Sequence, residues 1–197
     1  MQFFCVRLLP LWLSPAAIMF GISDPVMWIG NNMGIFYLSI VFSFVSLITL
    51  LCVRHSYPAN FIVLAVFTVS EAFLIGVVCA LSDTAAVLQA VVTTAVVFTA
   101  LTIHAWTTST DYSVFHGIAI SCLFALIVLS FFASFVGSSS MDFLISLGGV
   151  LLFSAFIVID TQLIAKKYNV DEYILGAIEL YLDILNLFLY LLQLFNR

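Results

Sequence analysis

Residues 143–195 read FLISLGGVLLFSAFIVIDTQLIAKKYNVDEYILGAIELYLDILNLFLYLLQLF. Two apolar runs, 143–165 and 173–195, each match the ~20 residues that carry a helix across a bilayer. A short polar hinge beginning at Lys166-Lys167 separates them, and helices joined so briefly are normally antiparallel neighbours. Asp160 interrupts the first run and Asp183 the second. An unpaired carboxylate at bilayer depth costs about 2.5–3.5 kcal/mol, so such groups face a bundle interior or water, pair up, and usually mark an ion or proton pathway.

The rest of the chain repeats the pattern. Of 197 residues, 64% are hydrophobic and 8% charged, and the mean hydropathy is +1.27. A soluble domain carries about a quarter charged residues. The fold expected is therefore an all-α integral membrane protein, a bundle of about seven transmembrane helices forming one domain over 1–197. The spans fall near 4–22, 34–53, 60–81, 86–106, 114–136, 143–165 and 173–195. Turn residues mark the breaks, among them Ser23-Asp24-Pro25 with Gly30-Asn31-Asn32, His55 to Pro58, Ser82-Asp83, Thr107 to Ser113 and Gly137 to Ser140. Pro10 and Pro15 kink the first span, for which a signal peptide is the alternative.

Numbering the loops alternately puts Arg7, Arg54, Lys166 and Lys167 at one face and Asp24, Asp83 and Asp142 at the other. The positive-inside rule makes the first face, and with it the N-terminus, cytoplasmic. Cys5, Cys52, Cys79 and Cys122 lie in apolar runs without metal-ligand spacing and read as small core residues. His55, His104 and His116 are scattered and read as interface residues, and Trp28 and Trp106 as belt residues. No fixed metal site, cofactor or nucleic-acid partner is expected; the partners expected from composition are the lipid bilayer and an ion.

On the last span, Glu172, Gly176, Glu179, Asp183, Asn186, Tyr190 and Gln193 follow at steps of 4, 3, 4, 3, 4 and 3. At 3.6 residues per turn they share an arc of about 100°. Hydrocarbon offers these groups no partners, so the stripe must face protein or water. Asp160 lies about six residues, ~9 Å, from the Lys167 end, and Asp183 descends the next helix to a comparable depth. The two aspartates are thus placed to meet. Two touching carboxylates share one proton and titrate as a coupled pair, so a proton tethers the helices and its loss turns the tether into repulsion. Arg54 could hold a carboxylate of the pair or anchor the cytoplasmic face. Glu71 is a third isolated membrane acid, either lining a pathway or hydrogen-bonded.

Asp160-Thr161-Gln162-Leu163, the loop ending Asp171-Glu172-Tyr173, and Tyr181-Leu182-Asp183-Ile184-Leu185-Asn186-Leu187-Phe188 resemble the transmembrane Bax inhibitor-1 motif, or lifeguard, family. Upstream, Pro58-Ala59-Asn60 and Phe67-Thr68-Val69-Ser70-Glu71-Ala72 resemble its third helix. Val87-Leu88-Gln89-Ala90 with Thr93-Thr94-Ala95-Val96 looks most like the Golgi anti-apoptotic branch. The resemblance covers essentially everything from residue 34 onward. It implies seven helices, a pH-sensitive calcium leak from Golgi or endoplasmic reticulum stores, and suppression of cell death. It also implies that Asp160 and Asp183 are the pH sensor, that Arg54 closes the latch, and that Asp171 and Glu172 serve ion conduction. Three departures stand out: no match to the family's N-terminal region and its basic-aromatic lead-in, with prolines in helix 1; Glu179 where a neutral residue is usual; and aspartate opening the acidic pair.

The leading expectation is a calcium leak gated by Asp160 and Asp183, with Glu71, Asp171, Glu172, Glu179 and Asn186 along the pathway, because carboxylate oxygens suit Ca²⁺. Proton-coupled calcium exchange is a close variant. A non-conducting regulator binding apoptosis regulators or calcium-release receptors is the alternative. An intramembrane aspartyl protease is disfavoured, since Tyr-Leu-Asp stands where Gly-x-Gly-Asp is expected; an enzyme is not anticipated.

Overall fold

In the computed structural model, which describes residues 25–53, 56–166, 168 and 173–197, every regular element is helical. The order is α1 (Pro25–Asn31), α2 (Met33–Val53), α3 (Ala59–Ala80), α4 (Thr84–Thr107), a 3-10 turn (Tyr112–Phe115), α5 (His116–Val136), α6 (Ser139–Lys166) and α7 (Tyr173–Phe195). Six helices, α2 to α7, are long and apolar enough to cross a membrane. They match six of the expected spans to within a few residues; the span expected at 4–22 lies outside the described residues.

Two boundaries differ from the sequence reading, each for a local reason. The break expected across Ser23 to Asn32 contains a seven-residue helix, Pro25–Asn31. Proline suits a first helical position because its missing N–H would have no partner there anyway. Asn32 closes that helix, its Nδ2 donating to Trp28 O at 2.8 Å. At the other break, Gly137 adopts φ +63°, and its N–H donates to Ala133 O at 3.0 Å, ending α5 in a left-handed cap. Asp142 N then donates to Ser138 O at 3.1 Å, so α6 starts at Ser139 rather than near 143. Asp142 falls in that first turn, where a carboxylate complements the helix dipole.

Contacts gather in two compact units. One holds α1 to α3 and the start of α7 as far as Ala177; the other holds α4, the 3-10 turn, α5, α6 and α7 from Ile178 onward. In the first, Ser43, Ser46 and Leu50 form the buried stripe of α2. Asn60, Leu64, Phe67, Thr68, Ala72, Ile75 and Cys79 recur on α3 at helical spacing and give it a longer buried stripe. Ile29 of α1 packs on Val77 with Trp28 and Phe73 around it, the two rings edge-to-face at 6.4 Å. Trp28 is thus half-buried in a cluster, whereas Trp106 is exposed.

Lipid as solvent explains the remaining surface. Phe131, Phe132 and Phe135 of α5 are all exposed, a patch that water would drive to aggregate. Some buried hydroxyls are satisfied within their own helix, as where Thr68 Oγ1 donates to Leu64 O at 2.8 Å. The cysteines divide accordingly: Cys79 is buried, but Cys52 and Cys122 are exposed, correcting their reading as core residues. A thiol behaves as a small apolar group and needs no core when hydrocarbon surrounds it.

Candidate functional site

In the second unit, α6 and α7 bury their acids side by side. Asp160 is 3% exposed and Asp183 5%. The two carboxyl groups lie within reach of a hydrogen bond once one of them carries a proton. Among the described residues, Asp160 Oδ1 and Asp183 Oδ2 have no hydrogen-bond partner. Without a proton the contact would be carboxylate against carboxylate in a site nearly closed to water; with one, it is a hydrogen bond.

Two other titratable groups face the pair. Glu179, one turn before Asp183, bears on both aspartates through its charge. It accepts a hydrogen bond from Tyr168 Oη at 2.6 Å, which ties it to the α6–α7 connection. His116 opens α5 with its Nε2 3.9 Å from Asp160 Oδ1, too long for a hydrogen bond but close enough for charge to be felt when the imidazole is protonated. Its ring stands edge-to-face on Phe156 at 6.3 Å. His116 is therefore part of the site, where the sequence reading had it as a generic interface residue.

Gln162, two residues beyond Asp160, anchors this end of α6 to the loop before α5. Its Oε1 accepts from Tyr112 N at 2.8 Å, and its Nε2 donates to Thr110 O at 2.9 Å and Ala105 O at 3.3 Å. One buried amide thus satisfies three backbone groups and holds the segment from which His116 projects. The sequence reading quoted Gln162 only within a motif, because its partners lie about fifty residues upstream and leave no periodic trace.

Asn186, next along the α7 stripe, donates Nδ2 to Leu182 O of its own helix at 2.8 Å. Tyr190 follows, stacked on Phe153 of α6 at 5.8 Å and 23°. Gly149 makes room for that ring: a Cβ there would sit 2.5 Å from Tyr190 Cγ and 2.6 Å from both Cδ atoms. Gly149→Ala should destabilise the protein by about 1–3 kcal/mol through overpacking. Thermal unfolding in detergent should show most of that loss relieved in a Tyr190→Ala background, and equal losses in both backgrounds would contradict the contact.

Glu71 lies in the first unit, where Ser43 Oγ donates to its Oε1. Among the described residues no cluster of three or more His, Cys, Asp and Glu side chains could hold a metal ion.

A family model described as "Inhibitor of apoptosis-promoting Bax1" matches residues 3–197. The chain belongs to the Bax inhibitor-1 family. It is 36% identical over 140 residues to Protein lifeguard 4 of Mus musculus, covering 71% of this chain and 59% of that protein. It is 37% identical over 141 residues to the Golgi anti-apoptotic protein of Vaccinia virus (strain Lister), covering 72% and 60%. A BI1-like protein of Arabidopsis thaliana is 40% identical over 151 residues, covering 73% and 58%. The chain thus spans about three fifths of the length of these relatives. In this Bax inhibitor-1 chain, three of the expected site residues, Arg54, Asp171 and Glu172, lie outside the described residues.

Proposed function

We propose that this Bax inhibitor-1 chain is a pH-responsive calcium leak of an intracellular membrane, Golgi or endoplasmic reticulum, that regulates store calcium and opposes apoptosis. The observation that carries the reading is the burial of Asp160 and Asp183 against each other on two apolar helices. A pair so placed is a two-state element. Holding one proton, it ties α6 to α7; losing it, the same oxygens repel. The tether is therefore strongest in acid and is lost as pH rises through the pair's titration. His116 and Glu179, the other titratable groups facing the pair, set where that happens.

Calcium is the ion proposed because it takes hard oxygen ligands, which the α7 stripe supplies in Glu179, Asp183 and Asn186. Arg54, by the family resemblance, is assigned to the ionised pair, and Asp171, Glu172 and Glu71 to the ion pathway. The names of the relatives favour one competitor, a non-conducting regulator that binds cell-death proteins in the membrane. Purified chain in calcium-loaded proteoliposomes separates the two. A calcium flux that changes with pH in the absence of any partner is expected; no flux across the pH series would overturn conduction and leave the regulator.

A further inference from the structure

We infer that a polar recess at the end of the second unit remote from Lys166 is a weak binding site for a hard divalent cation of the calcium class. The recess encloses about 250 Å³ and is lined by Ser130 and Ser134 of α5, Asp142 of α6, and Tyr190 and Gln193 of α7. Ser130 lies six residues before the end of α5, ~9 Å from it along the helix axis. Polar groups at such depth must be satisfied by the protein, by water or by a ligand, since hydrocarbon offers them nothing.

Two of the lining hydroxyls have already given up their protons to the backbone. Ser130 Oγ gives its proton to Leu126 O at 2.8 Å, and Ser134 Oγ gives its own to Ser130 O at 2.9 Å. Both hydroxyls therefore turn only lone pairs outward. Tyr190 adds a hydroxyl to the lining and Gln193 an amide oxygen. Asp142 supplies the one formal charge of the lining, and among the described residues no ion pair joins it. Arg197 is held elsewhere: its Nη2 donates to Ser139 O at 2.8 Å and its guanidinium lies 5.1 Å over the Phe143 ring.

Oxygen donors without thiol or imidazole select a hard cation over zinc or copper. One carboxylate with neutral oxygens and water makes a weak site, with Kd of order 10⁻⁴–10⁻³ M, suited to a compartment rich in the ion. Tyr190, whose ring stacks on Phe153, lines the recess and lies seven residues beyond Asp183 along α7. A role for the recess as the first station of the leak rests on the function proposed above; binding at the recess does not.

Terbium luminescence sensitised by Tyr190, with calcium as competitor, tests the site on the purified full chain. Wild type should bind terbium and release it at calcium concentrations near 10⁻³ M. Asp142→Asn should weaken binding at least about tenfold, and Ser134→Ala should weaken it by a smaller factor. Retained affinity in both Asp142→Asn and Ser134→Ala would overturn the proposal. Calcium binding without flux would keep this site and remove only the leak.

Discussion

Replacing Asp183 by asparagine is expected to abolish the pH dependence of calcium flux through proteoliposomes containing the purified chain. The asparagine amide is nearly isosteric with the carboxyl group and donates to Asp160 at every pH, so it imitates the shared proton permanently. Hydrogen bonds to charged groups contribute about 1.5–3 kcal/mol. At about 1.4 kcal/mol per tenfold, gain or loss of the wild-type proton moves the α6–α7 equilibrium by roughly 10- to 150-fold. The variant should show almost none of that range. Asp160→Asn should behave alike, because the proton belongs to the pair rather than to either acid. His116 and Glu179 remain in both variants, so a surviving pH response of full size would assign the sensing to them and defeat the latch.

Gln162→Leu should be the most destabilising single substitution near the site. It keeps the side-chain volume but strands Tyr112 N, Thr110 O and Ala105 O, all now held by one amide that is 1% exposed. The bond to Ala105 O is fully buried and the other two are partly so; a buried group left without a partner costs about 1–3 kcal/mol, so a loss of about 2–3 kcal/mol is expected as lowered thermal stability in detergent. Gln162→Glu is the sharper control. It retains the acceptor for Tyr112 N but turns a carboxylate toward two carbonyl oxygens, and should also fail. Wild-type stability in Gln162→Leu would show that the loop before α5 is held by something else.

Much of this molecule was legible in its sequence because hydrocarbon imposes a simple rule. Six of the expected spans coincide with helices α2 to α7, since each apolar run must satisfy its own backbone. The depth of Asp160 and Asp183 followed from counting residues at 1.5 Å each on either side of a short loop, and the structure brings the two together. What resisted reading was lateral or local. His116 lies 44 residues from Asp160 and Gln162 about fifty from its partners, and contacts across a bundle leave no periodic signal along the chain. The helix Pro25–Asn31 was hidden because its proline, glycine and asparagine are also turn residues. The exposure of Cys52 and Cys122 reversed a soluble-protein habit, since the surface of this protein is as apolar as its interior.

The most direct measurement is infrared difference spectroscopy of the purified chain across a pH series, reading the carbonyl stretch of protonated carboxylic acid. The account predicts one titrating protonated carboxyl in wild type, altered equally by Asp160→Asn and by Asp183→Asn. A band that only one of these variants perturbs, or two independent protonated acids in wild type, would contradict the shared proton.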